Sequence, residues 1–296
     1  MLNRIMEELC WINGSVCPLS QARISVEDRG FVFADGVYEV IRVYQGRGFA
    51  VKPHLQRLVR SCEGVEISCP YSNQFIEKVI GDLVMQSRLQ EGIVYVQVTR
   101  GVAPRGHAFP KDVTPTVMVY TRSMLFTRLA SQRVISVTDD RWDRCWIKSI
   151  ALLPNVLAKQ KAVRAGVDEA VFVDGDHVQE GATSNVAIVR GQTLITPPVG
   201  EKVLPGVTRQ ILLELAEEQG MDVLEQTFTV QEAYAADEAF LASTTREVAW
   251  ISEWDGHQIG SGRCGKWTQR LSQAFEHYRD QSVSDFNDSS SSSRSA

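Results

Sequence analysis

Residues 141–160 read RWDRCWIKSIALLPNVLAKQ, with Lys148 near the middle. Trp146 and Ile147 precede it, and Ile150, Ala151, Leu152 and Leu153 follow within five positions. Lysine is ordinarily a solvated surface residue. Set in an apolar run, it is expected as a desolvated amine that can act as a nucleophile toward a carbonyl. The competing reading is a stem lying along apolar surface with its head in water. The stretch is expected to be a strand. A helix carrying Leu153, Val156, Leu157 and Val163 should follow and end near Gly166.

Upstream, the pattern is a mixed one. Asn13-Gly14 marks a hairpin turn. Residues 25–36 read as a loop rich in glycine and charge, and 37–44 alternate as a strand. Helices are expected over 53–63, with Pro53 in the first turn, and over 75–84, with Ser72 as N-cap. Residues 93–100 and 116–121 are strands around a Pro/Gly loop. This gives an N-terminal α+β domain over 1–121, then a linker over 122–132.

Downstream, short strands dominate a C-terminal domain over 133–281. Strands are expected at 133–138, 169–173, 186–190, 193–196, 238–241 and 247–251. A helix begins at Val207-Thr208. Thr229 and Glu232 form a capping box, and Trp267 to Tyr278 make a last helix. Residues 282–296, with serine throughout 289–293, read as a disordered tail.

The totals narrow the function. A chain of 296 residues, 44% hydrophobic and 23% charged, suits a globular protein of two domains. A net charge of −5 argues against nucleic acid or an acidic membrane as the main partner. No apolar run reaches the roughly 18 residues of a membrane span, and the start lacks the pattern of a signal peptide. Six cysteines without a C-x-x-C pair suit free thiols in a reducing cytoplasm. No H-E-x-x-H is present, so no metal site is expected.

Several residues have the right chemistry for a site, each with a plainer alternative. Glu180 lies between strands, as a turn residue or as the partner of a protonated ring nitrogen. The helix opening at Pro205-Gly206-Val207-Thr208 favours an anion such as phosphate, though many helices open this way and bind nothing. Thr244 offers a hydroxyl in a loop. Arg57, on the polar side of its helix, completes a phosphate cradle or is a surface arginine. Arg105 and His107 lie two apart on the Pro/Gly loop, where they clamp a carboxylate or are simply solvated. Tyr38 adds a hydroxyl, or packs in its strand.

Seven blocks then act together: EDRGFVFADGVYEVIRVYQG (27–46), VYVQVTRGVAPRGHAFP (94–110), RWDRCWIKS (141–149), VLAKQKA (156–162), QEGATSN (179–185), LPGVTR (204–209) and STT (243–245). In content, order and spacing the chain resembles the class IV aminotransferases, pyridoxal phosphate enzymes of fold type IV. The resemblance implies a two-domain α+β fold and a homodimer with shared sites. It implies that Lys148 holds the cofactor and shuttles the proton. Glu180 would partner the pyridine nitrogen, and Leu204 would pack against the ring. Arg57, Val207, Thr208 and Thr244 would bind the phosphate. Tyr38, Arg105 and His107 would trap the substrate carboxylate, the last two reaching in from the neighbouring subunit. Arg141 matches an arginine whose role the resemblance does not supply. Arg42, Ala34 and the pair Ala182-Thr183 depart from the pattern, at positions where lysine, glycine and two serines are expected.

The PRGHAFP block favours the branch of the family that acts on D-amino acids, with a 2-oxo acid as acceptor and ping-pong kinetics. The alternatives are a branched-chain L-amino-acid aminotransferase, an aminodeoxychorismate lyase and an (R)-amine transaminase. A non-catalytic pyridoxal phosphate binder is the alternative outside enzymes.

Overall fold

Asn13 and Gly14 both take positive φ (42° and 101°), the conformation a two-residue hairpin turn requires. They join β1 (Leu9–Ile12) to β2 (Ser15–Pro18), with Ile12 opposite Ser15. The computed structural model describes residues 7–292. These residues fall into two units, one of residues 7–125, 147–151 and 282–292, the other of Phe126–Trp146 and Leu152–Gln281. The division places the Lys148 stretch with the N-terminal residues, whereas the sequence reading assigns it to the C-terminal domain.

The first unit continues with α1 (Arg29–Phe33), β3 (Gly36–Tyr44), β4 (Arg47–Gly48), α2 (Val51–Gly64), α3 (Asn73–Ser87), β5 (Gly92–Thr99) and β6 (Thr116–Ser123). Its sheet is antiparallel in the order β2-β1-β6-β5-β3-β4. The short α1 lies where a loop is expected. Asp28 caps it by accepting from the Gly30 N–H, and also accepts from the Thr99 and Thr116 hydroxyls. Ser72 caps α3 as expected. In β3, Val37, Glu39, Ile41 and Val43 share the buried phase of the period-two pattern.

The Lys148 stretch is not a strand. The Ser149 N–H donates to the Ile147 carbonyl (2.8 Å), closing a γ-turn centred on Lys148. Only a single bridge, Val37 to Ser149, joins it to β3. The Tyr38 N–H donates to the Lys148 carbonyl (2.9 Å), and the Ile150 N–H to the Gly36 carbonyl (3.1 Å). The pinched backbone cannot extend a ladder.

The second unit holds β7 (Gln132–Thr138), α4 (Leu153–Arg164), β8 (Glu169–Asp174), β9 (His177–Gly181), β10 (Asn185–Arg190), β11 (Thr193–Thr196), α5 (Val207–Glu218), β12 (Asp222–Glu225), α6 (Val230–Tyr234), β13 (Glu238–Ser243), β14 (Glu247–Trp254) and β15 (His257–Gln258). The sheet runs β12-β11-β10-β13-β14-β7-β8-β9, with β15 on β14. Pairs β7–β8, β7–β14 and β11–β12 are parallel. Val134, Val171, Val186, Ile188, Leu241 and Trp254 lie in its core. The capping box at Thr229 and Glu232 is formed.

Helix α4 is turned the opposite way from a standard amphipathic reading. Leu153, Val156, Leu157 and Val163 are each more than half exposed, while Ala158 and Ala162 are buried against Phe172 and Val137. Alanine lets the helix backbone approach the sheet closely. The last helix, α7 (Lys266–Ser292), also departs from expectation. It continues to Ser292, through residues read as a disordered tail. Buried Val283 extends the four-residue spacing of Trp267, Leu271 and Phe275, while Tyr278 faces out. Residues 293–296 lie outside the described residues.

Candidate active site

In the first unit the γ-turn presents Lys148, half-buried between buried Ile147 and Ser149. Its Nζ lies 3.4 Å from the Tyr38 hydroxyl and 4.4 Å from the Tyr38 ring centre. The Lys148 N–H donates to Ser61 Oγ (3.1 Å), so α2 anchors the turn. Tyr38 begins a row of stacked rings through Tyr95 and Tyr120. Burial pushes the Tyr95 phenol well above its ordinary pKa.

Arg57 is buried, not on a polar helix face. Its Nε and Nη2 donate to the two oxygens of Glu39 at 2.7 and 2.8 Å. His54, one turn earlier, places Nδ1 2.8 Å from Glu39 Oε2. Burial alone would raise the Glu39 pKa, but the charge and hydrogen bonds of Arg57, then of His54, bring it down to about 2. Burial lowers the His54 pKa, which favours a neutral ring.

Arg105 and His107 are exposed on their loop and flank Phe33, at 5.2 and 5.4 Å. Arg29, paired with Asp35, holds the loop backbone by donating to the Gly106 carbonyl. Neither Arg105 nor His107 is among the contacts of the Lys148 amine.

In the second unit Glu180 is buried at the end of β9. Arg141 donates to Oε1, while the Asn185 amide (3.1 Å) and the Leu204 N–H (3.0 Å) donate to Oε2. Asp139 braces Arg141 with hydrogen bonds at 2.8 and 2.9 Å. Burial works against the Arg141 charge, but Asp139 and Glu180 more than offset it and raise the pKa above the ordinary arginine value.

Asn185 also donates to the Leu204 carbonyl (2.9 Å), which fixes the approach to α5. There a Cβ on Gly206 would fall 2.0 Å from Asn185 Oδ1, so any larger residue would have to displace the Asn185 amide. Gly206 caps α5 without a side-chain acceptor, and the helix opens on buried Val207 and Thr208. Early N–H groups of a helix lack intrahelical partners and favour an anion. Thr244 lies half-buried in the turn between β13 and β14.

Sequence reasoning passed over Glu39, His54, Asn185 and Asp139. The signal for Glu39 was a lone carboxylate in the apolar phase of β3. For His54 it was the three-residue spacing from Arg57, which puts both on one helix face.

The family model for amino-transferase class IV matches residues 36–254. The chain belongs to the class IV aminotransferases. A D-alanine aminotransferase of Staphylococcus haemolyticus is 39% identical over 272 residues, which is 90% of this chain and 96% of that protein. One from Bacillus licheniformis is 38% identical over 268 residues, 90% of this chain and 95% of its own length. Among solved structures, the branched-chain amino acid aminotransferase of Escherichia coli superposes with a TM-score of 0.86 at 26% identity, covering 92% of this chain and 95% of that one.

This class IV aminotransferase therefore has the α+β fold of its family and is a pyridoxal phosphate-dependent transaminase acting on small molecules. The donor set fits that cofactor in kind. The first unit presents an amine at Lys148, and the second holds a braced carboxylate at Glu180 and a helix start without a side-chain cap at Gly206.

Proposed function

We propose that the protein transfers the amino group of a D-amino acid, D-alanine first among them, to a 2-oxo acid such as 2-oxoglutarate in a ping-pong reaction. The observation that carries this reading is the 38–40% identity, over about nine-tenths of the chain, to proteins named D-alanine aminotransferase. The branched-chain enzymes that share the fold are 26% identical. They make an L-selective branched-chain aminotransferase the second reading.

Bound pyridoxal phosphate supplies the electron sink that makes the substrate α-proton removable. Lys148 Nζ holds the cofactor and carries that proton, with the Tyr38 hydroxyl as its neighbour. Glu180, braced by Arg141, accepts from the ring N–H. Leu204 packs on the ring. Val207, through its backbone, Thr208, Thr244 and Arg57 hold the phosphate. Tyr38, Arg105 and His107 orient the substrate carboxylate and so select the face presented to Lys148. The chain acts as a homodimer in which Arg105 and His107 serve the neighbouring subunit's site; their exposure on the loop supports this. Six free cysteines suit a cytoplasmic location, and no helix among the described residues is long and apolar enough to cross a membrane.

A coupled assay of D-alanine against L-leucine with 2-oxoglutarate tests the reading. Turnover of D-alanine is expected, and turnover of L-leucine alone overturns the D assignment.

A further inference from the structure

Two neighbouring turns of the second unit adjoin or carry residues assigned above to the cofactor. One, over 181–184, follows Glu180 and leads into β10. The other, over 243–246, follows β13 and carries Thr244. Strands β10 and β13 pair with Asn185 opposite Ala242, so both turns emerge at the same end of adjacent strands. Hydrogen bonds between strands fix their register but leave the turns beyond them free to splay.

Glu169, the first residue of β8, is fully buried and ties the two turns together. Thr183 Oγ1, from the first turn, donates to Glu169 Oε2 at 2.6 Å. Arg246, from the second, donates through Nη1 to that same oxygen and lies 3.4 Å from Thr183 Oγ1. The Arg246 N–H also donates to Ser243 Oγ (3.2 Å), which closes the turn around Thr244. The ammonium of Lys159 lies 3.9 Å from Glu169 Oε1. A fully buried carboxylate needs such partners, and side chains from both turns meet at one of its oxygens.

We propose that Glu169 is a positioning residue, which acts with Arg246 and Thr183 to set the separation between Glu180 and the Thr244 hydroxyl. This rests on the reading that Glu180 meets the ring nitrogen and Thr244 the phosphate. The pyridine ring is rigid and the phosphate hangs from it on a short CH2–O arm, so the two ends of the cofactor are confined to a narrow range of separations. A protein that holds both anchors at that distance beforehand avoids the cost of ordering them on binding. Glu169 touches neither end. Its effect passes through the two turns, and it falls on the phosphate end, where the tie to Arg246 holds the Thr244 turn.

The test titrates full-length apoprotein with pyridoxal phosphate and, separately, with pyridoxal, which lacks the phosphate. Absorbance of the bound chromophore is the readout. Glu169→Gln and Arg246→Met are expected to weaken pyridoxal phosphate by about tenfold or more, and pyridoxal by less than about threefold. Arg246→Lys keeps the charge and is expected to recover most of the loss. Should Glu169→Gln fail to fold, exposed Thr183→Val removes one arm of the tie and is expected to shift the same ratio by about threefold. Equal weakening of both ligands, or of neither, overturns the proposal. Wild-type protein that does not bind pyridoxal phosphate overturns the reading beneath it, a result distinct from an unchanged ratio in the variants.

Discussion

Glu39 and Arg57 form a two-point ion pair buried on both sides, with His54 as a third member. Both titratable partners of Arg57 release protons more readily when folded than when unfolded. The unfolded chain therefore takes up protons that the folded one refuses, first at His54 as pH falls below 6.5 and then at Glu39 from 4.5 toward about 2. Stability from both groups is fully present above these windows and is lost with acid. The melting temperature should fall steadily from pH 7 to pH 3, and His54→Gln should flatten the upper part of that slope. A wild-type curve level over the range would contradict the arrangement.

Lys148→Ala removes the amine and keeps both the bond its carbonyl accepts from the Tyr38 N–H and the bond its N–H donates to Ser61 Oγ. Transamination should fall by at least about a thousandfold, while the unfolding midpoint changes little. Borohydride treatment of the wild type should fix the cofactor to the peptide containing Lys148. Turnover by the variant at the wild-type rate would remove Lys148 from the mechanism.

Arg141→Met leaves Glu180 and Asp139 buried without their shared cation. Losing one member of a buried charged group costs about 3–5 kcal/mol. Denaturant unfolding should show a loss of that order, and cofactor affinity should fall as Glu180 is no longer held in place. A variant as stable as the wild type would mean that Asp139 and Glu180 find other partners.

Arg105→Leu changes an exposed loop residue. The expected result is a KM for the amino acid raised by about tenfold or more, with unchanged cofactor affinity. An unaltered KM would take the carboxylate clamp off this loop.

Much of this was legible in the sequence because each feature left a local trace. Asn13-Gly14, the Ser72 cap and the Thr229–Glu232 box are short-range chemistry, and the structure has all three. The γ-turn at Lys148 was not legible, because an apolar run reads alike whether it pairs along its length or at a single point. Helix α4 misled for a related reason. Periodicity shows that apolar residues share a face, but not whether that face or the alanine face meets the sheet. Around Glu180, the carboxylate stood out while its brace from Arg141 and Asn185 did not, since Arg141 is 39 residues away in the chain.

The assignment of residues 147–151 to the first unit bears on how the chain can be made and divided. No single cut yields that unit whole. A gene fragment ending at Leu125 would encode β3 and α2 but omit the lysine whose backbone they anchor. During synthesis, Tyr38 and Ser61 leave the ribosome long before Lys148, so the amine cannot be seated until the chain has begun the second unit. Duplication or shuffling of either half alone would likewise lose it, which ties the two halves into one unit of inheritance.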